Sequence, residues 1–174
     1  LGTLSSPDKA SDLSLEINDT DILNLTENEL SDFRNQELGF IFQFHELLPE
    51  FNALENIMIP GFIKGTSIKD AEKRATSLID QLGLSGRSLH KPAELSGGEQ
   101  QRVAVARALM NNPSIIFADE PSGNLDSQTA DQLHQLFFDL RDQYGHTFVI
   151  VTHNKELAEK ADRKIELIDG KIVR

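Results

Sequence analysis

Three short apolar runs of strand length divide the chain, with helix-period segments between them. The runs cover residues 38–42, 114–118 and 147–152. Continuous apolar runs of this length are typical of strands buried on both faces of a parallel sheet. A helix-period segment over 127–143 lies between the last two runs and ends at Gly145. This strand–helix–strand order predicts a right-handed parallel crossover.

Capping signals mark the starts of further helices. Thr26 is followed three residues later by Glu29, and Ser96 by Glu99, which is the capping-box pattern. A third helix starts at Ser67, keeps its apolar positions at a spacing near 3.6, and stops at Gly83. Besides 127–143, the predicted helices cover residues 26–35, 53–63, 67–83, 97–111 and 154–161.

The two ends of the chain carry weaker patterns. Residues 1–12 are small and polar and predict a loop, whereas the alternating residues 13–17 predict a half-buried strand. Near the other end, residues 163–168 and 171–173 predict a hairpin. Between the predicted strands, segment 44–104 is mostly helical. The whole pattern therefore predicts an α/β fold in which a helical segment interrupts a mostly parallel sheet.

Composition and charge narrow the classes of partner. The chain has 174 residues, enough for one domain, and a net charge of −11. An acidic chain repels a phosphate backbone and an anionic lipid surface, which argues against nucleic acid as a partner. The chain has no cysteine, which excludes disulfides and thiolate metal sites. No apolar stretch approaches the roughly 20 residues of a spanning helix, so direct membrane insertion is not expected.

The segment 94–103, Glu-Leu-Ser-Gly-Gly-Glu-Gln-Gln-Arg-Val, is the most informative in the chain. Its capping box places Gly97 and Gly98 in the first turn of a helix. Backbone N–H groups there are bare, and the helix dipole favours an anion, so the turn suits a phosphate. Taken alone, the segment is weak evidence of function, because a well-capped helix with a glycine-containing turn also explains it.

Several polar residues directly follow the predicted strands. Asp119 and Glu120 end the run 114–118, His153 follows the run 147–152, and Gln43 follows the run 38–42. The carboxyl ends of parallel strands are where open α/β sheets bind ligands. Each residue alone also fits an ordinary solvated strand end.

These segments resemble the motifs of one protein family in their order and spacing. Segment 94–103, the strand ending at Asp119-Glu120, and the turn 122–126 resemble the signature motif, Walker B strand and D-loop of an ABC-transporter ATPase. The resemblance implies a RecA-like core over 1–43 and 105–174, and a helical subdomain over 44–104 that carries the signature motif. It also implies ATP and Mg²⁺ as cofactors.

The resemblance assigns roles to the residues at the strand ends. Glu120 would be the general base that polarises the attacking water, and His153 would contact the γ-phosphate of ATP. Asp119 and Gln43 would hold Mg²⁺, with Gln43 also reaching the attacking water. In a homodimer of ATPase subunits, the turn residues would contact ATP held by the other subunit; they are Ser96, Gly97, Gly98, Glu99 and Asp126.

One motif of the family is missing. A P-loop needs Gly-Lys followed by Ser or Thr, but the one Gly-Lys pair, Gly170-Lys171, is followed by Ile172. The chain also starts at Leu1 rather than at Met. We expect it to be a piece that begins just after the P-loop, inactive alone, with an apolar sheet edge exposed.

The stretch 39–60 discriminates among ABC ATPases. It is similar to the ATPases of bacterial lipoprotein-releasing transporters, which implies a peripheral subunit at the cytoplasmic face of the inner membrane, bound to integral-membrane permease subunits. Its apolar residues next to Gln43 would receive a helix of the permease. We expect the rim of that surface to expose His45, Glu46, Glu50 and Phe51.

Other functions fit parts of the pattern. The ATPase of a macrolide or peptide exporter would have the same fold and chemistry with a different permease. A catalytically dead interaction subunit would present the signature turn, residues 96–99, to an intact partner, although Asp119, Glu120 and His153 are all in place. DNA-repair ABC ATPases would need long insertions, and the sequence has none.

Overall fold

A computed structural model describes residues 14–173 of the chain. The predicted loop 1–12 and Leu13 lie outside the described residues. In chain order the elements are β1 Glu16–Ile17, β2 Thr20–Asp21, α1 Glu27–Glu37, β3 Leu38–Ile41, α2 Ala53–Ile63, α3 Ile68–Gln81, α4 Gly97–Ala108, β4 Ile115–Asp119, α5 Ser127–Tyr144, β5 Thr147–Val151, α6 Lys155–Lys160, β6 Leu167–Ile168 and β7 Lys171–Ile172.

The three apolar runs form one parallel sheet. Its strand order is β3-β4-β5, with Ile41 opposite Ala118 and Asp119 opposite Val151. Because all three strands point the same way, the residues that follow them meet at one edge of the sheet. Helix α5 connects β4 to the parallel strand β5, as the pattern predicts.

The helix starts follow the capping signals. Thr26, Ser67 and Ser96 each accept a hydrogen bond from the backbone N–H three residues on, and Thr26 and Ser96 complete the reciprocal capping box. Helix α3 ends at Gln81, two residues before the predicted bound, and Gly83 stops it as predicted. Gly83 is left-handed (φ +68°), and the N–H of Leu84 closes the end on the Ile79 carbonyl at 2.9 Å.

Some predicted boundaries are wrong. Helix α4 stops at Ala108 rather than at 111, because Asn112 turns the chain with φ +55° and Pro113 follows it. The strand expected over 13–17 has two paired residues, and the terminal hairpin pairs two residues on each side. Strand β3 ends at Ile41, so Gln43 lies two residues beyond it.

The core joins the sheet to the helices α2, α3, α4 and α5. Its largest fully buried side chains include Ile57, Leu78, Val103, Ile116 and Phe137. Helix α4 approaches β3 closely at Gly39, where a Cβ would stand 2.9 Å from the Ala108 carbonyl oxygen. This approach fixes the helix that carries the signature turn against the sheet.

The division into subdomains stays a prediction. The boundary expected at 104/105 falls inside α4, which runs unbroken from Gly97 to Ala108. Among residues 14–173, no helix is both long enough and apolar enough to cross a membrane.

Candidate functional site

Glu120 and His153 lie together at the carboxyl edge of the sheet. One Glu120 carboxylate oxygen accepts the backbone N–H of His153 at 2.8 Å and also lies 2.8 Å from the His153 Nδ1. The other accepts the hydroxyl of Thr152 at 3.2 Å. An ionised carboxylate can only accept, so Nδ1 carries the proton in this contact and Nε2 is left for another group. The His153 side chain is 85% exposed, so that nitrogen is accessible.

The backbone at Glu120 is in an unusual conformation. Its φ is +42°, in the left-handed region that a residue with a Cβ rarely adopts. Such a conformation costs about 1–3 kcal/mol and persists where the surroundings hold it. Here the N–H of Glu120 donates to the Val151 carbonyl at 2.9 Å, and its side chain is tied to Thr152 and His153.

Asp119 stands at the end of the central strand with its side chain exposed. Within residues 14–173, no hydrogen bond or ion pair engages its carboxylate. Nor do those residues contain a group of three or more His, Cys, Asp or Glu able to hold a metal. Mg²⁺ usually takes one or two carboxylates together with substrate phosphates rather than an all-protein cage. A lone free carboxylate at this edge therefore fits Mg²⁺ bound together with a nucleotide.

Gln43 contacts the turn 122–126 that follows the central strand. Its side-chain Nε2 donates to Asn124 Oδ1 at 3.1 Å, and Asn124 Nδ2 donates to the Gln43 backbone carbonyl at 3.2 Å. The sequence patterns indicated no role for Asn124. Its only signal was its place within the D-loop-like turn.

The signature turn and the turn 122–126 line a common cleft of about 350 Å³. Ser96 caps α4, and Gly98 lies so close to α5 that a Cβ there would stand 2.6 Å from Thr129 Cγ2. Packing against Thr129 thus explains Gly98 without any ligand. A Cβ at Gly97 would meet Leu125 at an ordinary 3.7 Å. The lining residues are Ser96, Gly97, Gly98, Glu99, Arg102, Asn124, Leu125, Asp126, Thr129 and Gln132.

The two acids of this cleft are already engaged. Glu99 accepts Arg87 Nε at 2.6 Å and the backbone N–H of Ser96 at 2.8 Å. Those bonds, the Arg87 bond foremost, lower the pKa of Glu99 to about 2. Asp126 caps α5 and accepts both the hydroxyl and the N–H of Thr129, which lower its pKa. Both carboxylates therefore hold helix starts.

The loop 42–52 after β3 exposes an apolar surface. Phe44 is 70% exposed, Leu48 43% and Phe51 40%, with Glu46 and Glu50 also exposed around them. Our expectation for His45 was wrong. It is half-buried, its Nε2 is buried without a hydrogen-bond partner, and burial lowers its pKa.

Arg107 on α4 anchors the first half of this loop. His45 and Glu46 are consecutive left-handed residues, with φ +54° and +49°. The Arg107 guanidinium donates to both of their carbonyls, at 2.8 Å and 2.5 Å respectively. Burial lowers the pKa of Arg107, and the Glu46 carboxylate opposes that shift. The sequence placed Arg107 on the predicted helix 97–111 and did not decide between a solvated side chain and one that ties the helix to its surroundings.

Asn56 on α2 anchors the second half. It is fully buried, accepts the N–H of Leu48 at 2.9 Å, and donates to the carbonyls of Leu48, Phe51 and Asn52 at 3.0–3.1 Å. The available signal was a polar residue within the buried stripe of an otherwise apolar helix. The two anchors fix the loop that presents Phe44, Leu48 and Phe51.

Comparisons with known proteins agree with this geometry. A family model described as ABC transporter matches residues 5–123. Lipoprotein-releasing system ATP-binding proteins LolD are 57% identical in Bacteroides fragilis and 56% in Cytophaga hutchinsonii, each covering 99% of this chain and 79% or 78% of the relative. The dimeric ATP-binding cassette MJ0796, solved in a post-hydrolysis state with ADP and Pi, superposes with a TM-score of 0.82 at 40% identity, covering 96% of this chain and 74% of that one. The chain therefore belongs to the ABC transporter family of ATP-hydrolysing, nucleotide-binding domains.

Proposed function

We propose that the chain is the ATP-hydrolysing subunit of a bacterial lipoprotein-releasing ABC transporter. The observation that carries the ATPase chemistry is the grouping of Glu120, Thr152 and His153 at the carboxyl edge of the parallel sheet. The transported class rests on the relatives, since those at 55–57% identity carry that name.

In this proposal Glu120 is the general base. Thr152 and His153 hold its carboxylate, and the left-handed backbone fixes its direction before substrate arrives. A preorganised base loses little freedom when the reaction begins. His153 keeps Nδ1 on Glu120 and offers Nε2 to the γ-phosphate. Asp119 and Gln43 hold Mg²⁺, which when bound neutralises charge on the phosphates.

The cleft between the signature turn and turn 122–126 faces a second subunit. Ser96 and Gly97 are exposed, and the N-terminus of α4 supplies bare N–H groups for a phosphate. The engaged acids Glu99 and Asp126 shape the cleft rather than compete for that phosphate. A homodimer is supported by MJ0796, which was solved as a dimer.

The exposed loop surface receives the permease. Its three exposed apolar side chains, Phe44, Leu48 and Phe51, alternate along the loop with the exposed acidic residues Glu46 and Glu50. An apolar surface with polar edges suits an amphipathic helix. The subunit then sits at the cytoplasmic face of the inner membrane through this contact.

The 174 residues alone offer incomplete nucleotide contacts. They contain no Gly-Lys-Ser or Gly-Lys-Thr, so no P-loop cradles the phosphates. We expect calorimetric titration of the purified chain to detect no micromolar affinity for Mg·ATP. An affinity in that range would contradict this part of the proposal.

Reconstitution tests the proposal as a whole. The full-length gene product, co-expressed with the permease genes of its own genome and placed in proteoliposomes, should release an inserted lipoprotein when ATP is added. Substitution Glu120→Gln should abolish release without dissociating the complex. ATP hydrolysis stimulated by a macrolide and not by lipoprotein would point to an exporter instead. Release without hydrolysis by this subunit would make it a catalytically dead partner.

A further inference from the structure

Gln43 is held by the turn 122–126 through a reciprocal pair of hydrogen bonds. Its Nε2 donates to Asn124 Oδ1 at 3.1 Å, while Asn124 Nδ2 donates to the Gln43 backbone carbonyl at 3.2 Å. The two residues are far apart in sequence and come from the segments that follow β3 and β4. The pair thus joins the ends of two adjacent strands.

The bonding pattern fixes which way each amide faces. A backbone carbonyl can only accept, so Asn124 must turn its NH₂ group toward the Gln43 backbone. Asn124 Oδ1 then faces the Gln43 side chain, which must present its own NH₂ group. Amide orientations are assigned from networks of this kind, and this network has one consistent solution. No hydrogen bond within residues 14–173 engages the Gln43 side-chain oxygen.

Gly123 provides the space for this arrangement. A Cβ on Gly123 would stand 2.8 Å from Gln43 Nε2 and 3.1 Å from Gln43 Cδ. The Gln43 amide therefore lies directly over the Gly123 backbone. Gly123 is absent from the left-handed glycines of the described chain, so its backbone conformation does not itself require glycine. A Cβ at this position would instead displace the end of the Gln43 side chain.

We infer that Asn124 is a positioning residue for Gln43, which it orients over Gly123 so that the side-chain oxygen is free to ligate a divalent cation. The inference rests on the proposed role of Gln43 toward Mg²⁺. The amide oxygen is the only side-chain atom of glutamine that binds such a cation. Groups that orient a metal ligand typically change metal affinity about 10–100-fold when removed.

The orientation is tested first without nucleotide or metal. In ¹⁵N-edited spectra of the 174-residue chain, the Gln43 side-chain NH₂ should exchange with water more slowly than that of exposed Gln128. Asn124→Ala and Gly123→Ala should each bring the two rates together, and Gln128→Ala is the matched control that leaves Gln43 unchanged. Equal rates for Gln43 and Gln128 in the unsubstituted chain would overturn the inference.

The consequence is tested on the full-length ATPase. Asn124→Ala and Gly123→Ala should each raise the Mg²⁺ concentration for half-maximal hydrolysis about tenfold. Nucleotide affinity measured without Mg²⁺ should stay constant, which separates orientation of the ligand from damage to the fold. If Gln43→Ala leaves the Mg²⁺ requirement unchanged, the proposed role of Gln43 fails. If Gln43→Ala raises the requirement while Asn124→Ala does not, the role of Gln43 stands and the positioning role of Asn124 is refuted.

Discussion

Removing the Asn56 side chain should destabilise the loop that we assign to the permease. Asn56 is fully buried on α2; its Oδ1 accepts the N–H of Leu48, and its NH₂ group shares two protons among the carbonyls of Leu48, Phe51 and Asn52. Substitution Asn56→Ala deletes all of these side-chain contacts. It leaves the N–H of Leu48 and the carbonyl of Phe51 unpaired unless the loop moves to reach water, whereas the carbonyls of Leu48 and Asn52 keep the backbone N–H groups of Phe51 and Asn56.

The magnitude follows from those contacts. A typical hydrogen bond contributes about 0.5–1.5 kcal/mol net, and a buried group left unpaired costs about 1–3 kcal/mol. Partial relaxation of an exposed loop reduces the sum, so we expect a loss of about 2–4 kcal/mol in the free energy of unfolding. The neighbouring substitution Asn52→Ala removes the N-cap of the same helix, which accepts Glu55 N–H at 2.9 Å. It should cost about 1 kcal/mol.

Urea unfolding followed by circular dichroism compares the two variants in the same chain. Hydrogen exchange at Leu48 provides the local readout, because its N–H donates directly to Asn56. Exchange there should accelerate in Asn56→Ala far more than in Asn52→Ala. A loss of stability in Asn56→Ala no larger than that in Asn52→Ala would refute the reasoning that Asn56 holds the loop.

Three further predictions concern other contacts. Arg87→Ala should raise the pKa of Glu99 from about 2 toward 4.5. The ionised Glu99 stabilises the fold above about pH 4.5, and this stabilisation is lost as the pH falls toward 2, so the midpoint of acid unfolding followed by circular dichroism should move to higher pH in the variant. An unchanged midpoint would contradict the ion-pair assignment. Phe51→Ala in the full-length protein should weaken permease binding, measured by co-purification, by about 1–3 kcal/mol with little change in basal ATP hydrolysis. Unchanged co-purification, or an equal loss of basal hydrolysis, would argue against docking at Phe51. Arg107→Lys loses the planar guanidinium that holds two carbonyls, so hydrogen exchange over residues 44–47 should accelerate. The control is Arg74→Lys, at a half-buried arginine that donates to the Leu109 carbonyl at 3.3 Å, and it should leave exchange over those residues unchanged. Equal exchange in both variants would refute the anchoring role of Arg107.

Local patterns predicted the elements of this fold well. Helix α2 spans residues 53–63 as expected, and capping residues located the starts of α1, α3 and α4. Burial of continuous apolar runs identified the three strands of the parallel sheet. The errors lie at ends, where one residue such as Asn112 can leave the helical conformation without changing the apolar period.

The contacts around the site were harder to predict because they join residues distant in sequence. The strand-end rule brought Glu120 and His153 to the same edge, and the structure places them in contact. Nothing local indicated that Asn124 would hold Gln43 or that Arg107 would hold the carbonyl of His45. His45 was expected at the exposed rim of its loop, but its Nε2 is buried in the part of the loop that Arg107 of α4 holds.

The central claim is that Glu120 is the general base of an ATPase, and steady-state hydrolysis by Glu120→Gln in a full-length protein with a P-loop tests it most directly. ATP affinity should be preserved while turnover falls by at least about 10²-fold, the lower range for a general base. Glu156→Gln, at an exposed position on α6, is the control and should retain full turnover. Near-normal turnover in Glu120→Gln would contradict the account.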